Sequence, residues 1–256
     1  MGEAIIAAII EKKLAEAGDI IVSDLSQERL NHLSKEYGIK TAKSSLKALA
    51  GSEVIILAVK PQNLATVASE IGGKLKASQL VISIIAGKSL KILTEGLKYD
   101  AIIRAMPNTP AQVGMGMTVW VTTGSVTEEQ KKLAASILGA MGMEILVEDE
   151  KYLNMATAVS GSGPAYFFYF MEALAEAAEE IGFSSGMARM LVLMTAWGSA
   201  SYAIKSKNDL AELREMATSP GGTTAAAIKT LEDGGLNKLV RKAVKAALKR
   251  AEELGS

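Results

Sequence analysis

Ser219-Pro220-Gly221-Gly222-Thr223-Thr224 runs directly into Ala225-Ala226-Ala227-Ile228, and its residue types suit the capture of a small anion. Ser219 is a capping residue, Pro220 fits a first helical position, and two glycines let a ligand approach backbone N–H groups that have no partner inside a helix. Thr223 and Thr224 add two hydroxyls beside that turn, enough to complete a pocket for a small carboxylate with a polar neighbour. Taken alone, the same residues also describe a well-capped helix.

Chemistry of other kinds is excluded by what the chain lacks. There is no cysteine and a single histidine, His32, so disulfides, zinc–thiolate sites, cysteine nucleophiles and histidine ligand clusters are out, and no metal is expected. His32 sits in the polar stretch Glu28-Arg29-Leu30-Asn31-His32-Leu33-Ser34-Lys35-Glu36, a solvated helix face. Lysine plus arginine equal aspartate plus glutamate at 28 each, which leaves no electrostatic reason to bind nucleic acid or an anionic membrane. The longest uncharged runs are broken by Gly, Pro, Ser, Thr and Asn, unlike a bilayer span. Met1-Gly2-Glu3 has no basic leader, so a cytoplasmic location is the expectation.

The elements that must position the candidate residues follow from periodicity. Residues 3–17 read as a helix stopped by Gly18, and Asp19-Ile20-Ile21-Val22-Ser23-Asp24 as a short strand. A helix to about Tyr37, a strand at 38–41 and a helix to Ala50 repeat the pattern, and Glu53-Val54-Ile55-Ile56-Leu57-Ala58-Val59 reads as a fully buried strand. Further strands are expected at 80–85, 101–105, 115–122 and 143–147, with helices at 88–97 and 128–141. This alternation implies a doubly wound α/β domain over residues 1–150, built on a parallel sheet. From Tyr152 onward the texture is rich in Ala, Leu, Met and Glu with helical spacing, an all-helical region over residues 151–256. Its apolar positions, as in Tyr166-Phe167-Phe168-Tyr169-Phe170-Met171, exceed what one small bundle hides, which favours a homodimer.

On the α/β side, Ala58-Val59-Lys60-Pro61, Ala86-Gly87 and Asn108 each follow a strand, where ligands of open α/β sheets collect. Ser23 and Asp24 close the strand expected to lie under the ribose of an adenosine. Asp24 would accept the ribose hydroxyls and favour NAD, whereas Ser23 with Arg29 would accommodate NADP, and the sequence leaves the two open.

Four motifs together, Ala58-Val59-Lys60-Pro61, Met106-Pro107-Asn108-Thr109-Pro110, Ser160-Gly161-Ser162-Gly163-Pro164-Ala165-Tyr166 and Ser219-Pro220-Gly221-Gly222-Thr223-Thr224, resemble those of pyrroline-5-carboxylate reductases, in order and spacing over nearly the whole chain. The resemblance implies an α/β Rossmann-like dinucleotide-binding domain followed by an all-α dimerisation domain, with the active site where the two meet, in a homodimer or higher homo-oligomer. It implies reduction of 1-pyrroline-5-carboxylate to L-proline, the last step of proline synthesis, by hydride transfer from NADP or NAD in reduced form. Ser219, Gly222, Thr223 and Thr224 would then hold the substrate carboxylate, with the Thr224 hydroxyl near the ring nitrogen. Glu150 matches an acidic position associated with the ligand, with a solvated surface charge as its plain reading. Gly2, Ser23, Asp24, Ser45, Ala58, Val59, Lys60, Ala86, Gly87 and Asn108 would contact the cofactor.

Imine reduction needs no strong protein acid, because the protonated iminium is itself the electrophile, and a hydroxyl near the nitrogen suffices. The pattern departs from the family at several points. The fingerprint strand running into Gly-x-Gly-x-x-Gly or Ala has no counterpart, Met1-Gly2 matching its last positions, so roughly ten residues of the pattern are missing and weak or absent cofactor binding is expected. A start assigned at an internal methionine is the expected cause, with a truncated, non-catalytic paralogue as the alternative. Ser45 stands where many relatives carry asparagine. Leu210 stands where proline is common, and Met216 where some relatives place a polar residue. Two other readings stay open: a reductase of other imines or keto acids with the same architecture, and a non-catalytic oligomerisation or ligand-binding paralogue.

Overall fold

Short apolar runs separated by amphipathic segments fold into strands buried between helices in the computed structural model, which describes residues 1–255. The strands are β1 (Ile21–Ser23), β2 (Lys40–Ala42), β3 (Val54–Leu57), β4 (Leu80–Ser83), β5 (Ile102–Met106), β6 (Gly116–Thr122) and β7 (Gly142–Leu146). Helices α1 (Gly2–Glu11), α2 (Gln27–Tyr37), α3 (Ser45–Leu49), α4 (Leu64–Ile71), α5 (Leu90–Leu97) and α6 (Glu128–Gly139) alternate with them. A short α7 (Lys151–Ala156) passes into one π-helical turn, Thr157–Gly161.

The strands form two sheets. β1 and β2 pair in parallel, and β3-β4-β5-β6-β7 form the second sheet, so β1 and β3 each keep one edge without a strand partner. The expected parallel sheet is present in β3-β4-β5 and β6-β7, and the one antiparallel pair among the described residues is β5–β6, with Ile103 opposite Thr122. Only the 3-10 turn Thr109–Val113 lies between those strands, too short for the crossover a parallel neighbour requires.

Helix α1 holds the two sheets together with two of its faces. Ile5 and Ala8 enter a core with Leu80, Ile82, Ile103, Trp120 and Leu138. Ile6 packs with Leu33 and Ile39, with Ile10 and Val22 alongside. Helical spacing alone separates the two sets. The helix ends at Glu11, earlier than the sequence suggests, because Lys13 turns into the left-handed region at φ 55°. Its N–H donates to Ile10 (3.0 Å) and that of Leu14 to Ile9 (2.9 Å), a Schellman ending made without glycine. Gly18 instead lies in the 3-10 turn Ala17–Asp19.

On the opposite sheet face Leu57, Leu64, Ile71, Val81 and Ile102 pack with Leu93 and Leu97 of α5. Those two leucines, four residues apart, are fully buried, and each contributes about 2 kcal/mol relative to an exposed position. Burial on both faces explains why β4 reads as an unbroken apolar run.

A second compact unit covers residues 163–246, and the described residues from Ala247 on group with the first 162. It contains α8 (Gly163–Glu180), α9 (Ser185–Lys205), α10 (Leu210–Met216), α11 (Thr223–Asp233) and most of α12 (Leu236–Gly255). Helices α8 and α9 pack against each other, yet Phe167, Phe168, Tyr169 and Trp197 remain more than half exposed. Among the described residues no helix is long and apolar enough to cross a membrane.

Candidate active site

Because β3, β4 and β5 run in parallel, the segments after them emerge at one edge of the sheet. Ala58-Val59-Lys60, Ala86-Gly87 and Pro107-Asn108 all lie there, the edge at which open α/β sheets bind ligands. Lys60 is exposed, and its backbone carbonyl starts the 3-10 turn Pro61–Asn63 by accepting the Asn63 N–H at 2.9 Å. Gly87 has φ +67°, and a Cβ built on it would lie 2.7 Å from the Leu254 carbonyl oxygen. The last turn of α12 therefore sits on that glycine.

Gly2, the first residue of α1, lies against this edge, its ideal Cβ 3.3 Å from the Ala58 Cβ. The first intrahelical bond is Ile5 N–H to Met1 (3.1 Å), and no side chain caps the helix. The N–H groups of Gly2, Glu3 and Ala4 thus have no intrahelical partners, the kind of donor set that fits a phosphate.

Ser23 and Asp24 end β1. Asp24 Oδ1 accepts the Ser26 N–H (2.8 Å), and Ser26 Oγ caps α2 by accepting the Arg29 N–H (3.2 Å). The Arg29 guanidinium is paired with Glu3, which also accepts the Tyr37 hydroxyl (3.1 Å) and lies 3.2 Å from His32 Nε2. Arg29 beside it holds the Glu3 carboxyl below its usual range. Ser45 begins α3 and donates its N–H to Glu70 (3.2 Å).

Asn108 joins two of the sequence motifs. Its Oδ1 accepts the Met117 N–H (2.9 Å) and its Nδ2 donates to the Ser160 carbonyl in the π turn (3.1 Å). Ser160 lies in the π turn, a local departure common at functional sites. Gly161 in the same turn leaves room for Met106, whose Cε would be 3.1 Å from a Cβ there.

Glu150 has protein partners rather than a free carboxylate. Its Oε1 accepts from Arg104 Nη1 (2.7 Å) and from the Leu90 N–H at the start of α5 (2.7 Å), while Arg104 Nη2 reaches Asn154 (3.4 Å). The Arg104 side chain is only 6% exposed. Sequence reading passed over Arg104 as one residue of an apolar strand. The signal was there: a lone arginine among Ile102, Ile103 and Ala105 has to find a buried anionic partner.

In the second unit, Ser219 does not cap α11, correcting the expectation. Its carbonyl accepts the Gly222 N–H (3.0 Å), and Gly221 has φ +70°. With proline second and a left-handed glycine third, the four residues make a type II turn. Helix α11 starts two residues after Gly221, with Gly222 at its N-cap and no side chain on its first N–H groups. Thr223 and Thr224 are exposed beside those donors. The turn before α10 is fixed without proline: Asp209 and Glu212 form a reciprocal capping box, and Asn208 Nδ2 lies 3.0 Å from Met216 Sδ.

Residues 150–254 match a family model described as pyrroline-5-carboxylate reductase dimerisation, and residues 1–87 match one described as NADP oxidoreductase coenzyme F420-dependent. A pyrroline-5-carboxylate reductase of Pseudomonas aeruginosa is 39% identical over 93% of this chain and 88% of its own length. One from Synechocystis is 40% identical, over 100% of this chain and 95% of that relative. A solved pyrroline-5-carboxylate reductase from Coxiella burnetii superposes with a TM-score of 0.93 at 37% identity, covering 100% of this chain and 95% of that one. The Plasmodium falciparum enzyme, solved with NADP bound, gives 0.90 at 30% identity with the same coverage.

Proposed function

The chain belongs to the pyrroline-5-carboxylate reductase family, and from that premise we propose how its own residues reduce 1-pyrroline-5-carboxylate to L-proline with NADPH or NADH. The observation that carries the assignment of the substrate clamp is the uncapped start of α11. Its free N–H groups at Thr223 and Thr224, presented by the Ser219–Gly222 turn, match a small carboxylate in charge and size. The Thr224 hydroxyl oxygen accepts from the iminium N–H and holds that proton in place.

A reduced nicotinamide, when bound, would supply the hydride for the ring carbon of the C=N bond, and the proton already on nitrogen would be retained. The chain's part is to fix distance and angle. Met106, Pro107 and Asn108, held by the π turn through Ser160, and the Ala86–Gly87 turn make the floor for the nicotinamide end. The α1 N-terminus and Lys60 hold phosphates, and Ser23, Asp24 and Ser45 lie at the adenosine end. Cofactor preference turns on whether Arg29, now engaged by Glu3, is released to a 2′-phosphate.

The half-exposed aromatic face of α8 and α9 is covered by a second copy, giving a homodimer.

Turnover is tested by following NADPH or NADH oxidation with 1-pyrroline-5-carboxylate. Thr224→Ala lowers kcat/KM by about 10–100-fold, the value of one hydrogen bond to a charged group. A wild-type chain that binds the cofactor but never oxidises it with this substrate would overturn the reading.

A further inference from the structure

We propose that Glu150 is a positioning residue: one carboxylate oxygen sets the spacing between the Ala86–Gly87 turn and the Met106–Asn108 segment. The inference rests on the assignment of those two segments to the cofactor.

Three elements meet at Glu150 Oε1. The Leu90 N–H (2.7 Å) belongs to the first residue of α5, three residues after Gly87. Arg104 Nη1 (2.7 Å) belongs to β5, two residues before Met106. Glu150 itself is the N-cap of α7, whose π turn is fastened to the segment after β5 where Ser160 accepts from Asn108 (3.1 Å). Helix α7 and its π turn are thus pinned to β5 at residue 104 and to the segment after it at residue 108, and only the first pin also holds α5. Asn154, one turn after Glu150, steadies the other Arg104 nitrogen (3.4 Å).

The burial of this arrangement makes it a device for geometry. Arg104 is 6% exposed on its side chain, so its charge is desolvated, and a buried ion pair of this kind contributes little net stability over an apolar pair of similar volume. What an apolar pair cannot do is hold a backbone N–H and a guanidinium on a single oxygen. Charge-assisted bonds of 2.7 Å are short and directional. Loss of the carboxylate lets the two cofactor-facing segments drift independently, and small displacements of reacting groups cost rate more than affinity.

The experiment compares wild type, Glu150→Gln and the pair Arg104→Met with Glu150→Met. Hydrogen–deuterium exchange is followed in peptides covering residues 86–92, 104–108 and 157–162, alongside Tm, kcat, KM and the primary isotope effect with 4-deuterated NADPH. Expected for Glu150→Gln is faster exchange in 86–92 and 104–108 together, kcat lowered at least tenfold with cofactor KM changed less than threefold, and a larger isotope effect. The methionine pair recovers Tm while kcat stays low. Recovery of both Tm and kcat in the methionine pair overturns the proposal, since the residues would then be packing alone. So does faster exchange confined to one segment. A raised KM for 1-pyrroline-5-carboxylate with exchange and kcat unchanged also overturns it, and makes Glu150 a substrate ligand. Should wild type itself show no turnover, the functional reading fails, and the exchange data still decide whether Glu150 couples the two segments.

Discussion

Asn108→Asp removes one donor from the clasp between β5 and the π turn while leaving the side chain's shape unchanged. Oδ1 still accepts the Met117 N–H at 2.9 Å, but the atom 3.1 Å from the Ser160 carbonyl becomes an oxygen. The lost hydrogen bond is worth about 1 kcal/mol, and an anionic oxygen facing a carbonyl in a partly buried site adds about 1–3 kcal/mol. The sum of about 2–4 kcal/mol corresponds to a Tm lowered by about 5–15 °C in a chain of this size. Protonation reverses the effect, because a carboxylic acid donates its O–H to Ser160. Repulsion raises the folded pKa of the introduced carboxyl above its unfolded value of about 3.9. The variant therefore comes closest to wild type below that value and loses ground as pH rises through the raised folded pKa. Circular-dichroism melts of both proteins at pH 4 and pH 7 measure the gap, expected to be small at pH 4 and full at pH 7. Equal melting temperatures at pH 7, or a gap that does not change with pH, would refute the clasp.

Gly87→Ala places a methyl 2.7 Å from the Leu254 carbonyl at a positive φ; it should cost about 1–3 kcal/mol, free the end of α12 to proteolysis and weaken cofactor binding seen by fluorescence titration. Glu3→Gln removes a carboxylate whose pKa Arg29 depresses, so the stability it supplies is present above the ordinary value of 4.5 and is lost as pH falls through the lower folded pKa. At pH 7 the variant is destabilised by less than about 1 kcal/mol, the pair being partly exposed, and the difference vanishes in acid; freed Arg29 should also lower KM for NADPH relative to NADH. Phe167→Glu, at a side chain 69% exposed in the monomer, should leave the helical content of the chain intact and halve its mass in sedimentation.

The strands were legible because both sheet faces are covered, so Val54, Ile55, Ile56 and Leu57 form an apolar run that no exposed element would carry. The four motifs were legible as well, and Asn108 with Ser160 shows two of them meeting in space. What the sequence hides is long-range pairing. Arg104 and Glu150 lie 46 residues apart, and nothing near either one names the other. Local turn chemistry misled in two places for the same reason. At Ser219, Pro220 and Gly221 satisfy the rules for a tight turn as well as those for a helix start, and the turn won. At Lys13 the backbone adopts a conformation that glycine usually signals, so the visible Gly18 drew the helix end too far.

The contact between the two sheets is made by side chains of α1 and α3 rather than by strand pairing. A ladder of backbone hydrogen bonds admits displacement only in whole residues, whereas interlocked apolar side chains yield by fractions of an ångström. Under the proposed function, the pair β1–β2, with Ser23 at its end and Asp24 just after it, would settle against an adenosine without disturbing β3, β4 and β5.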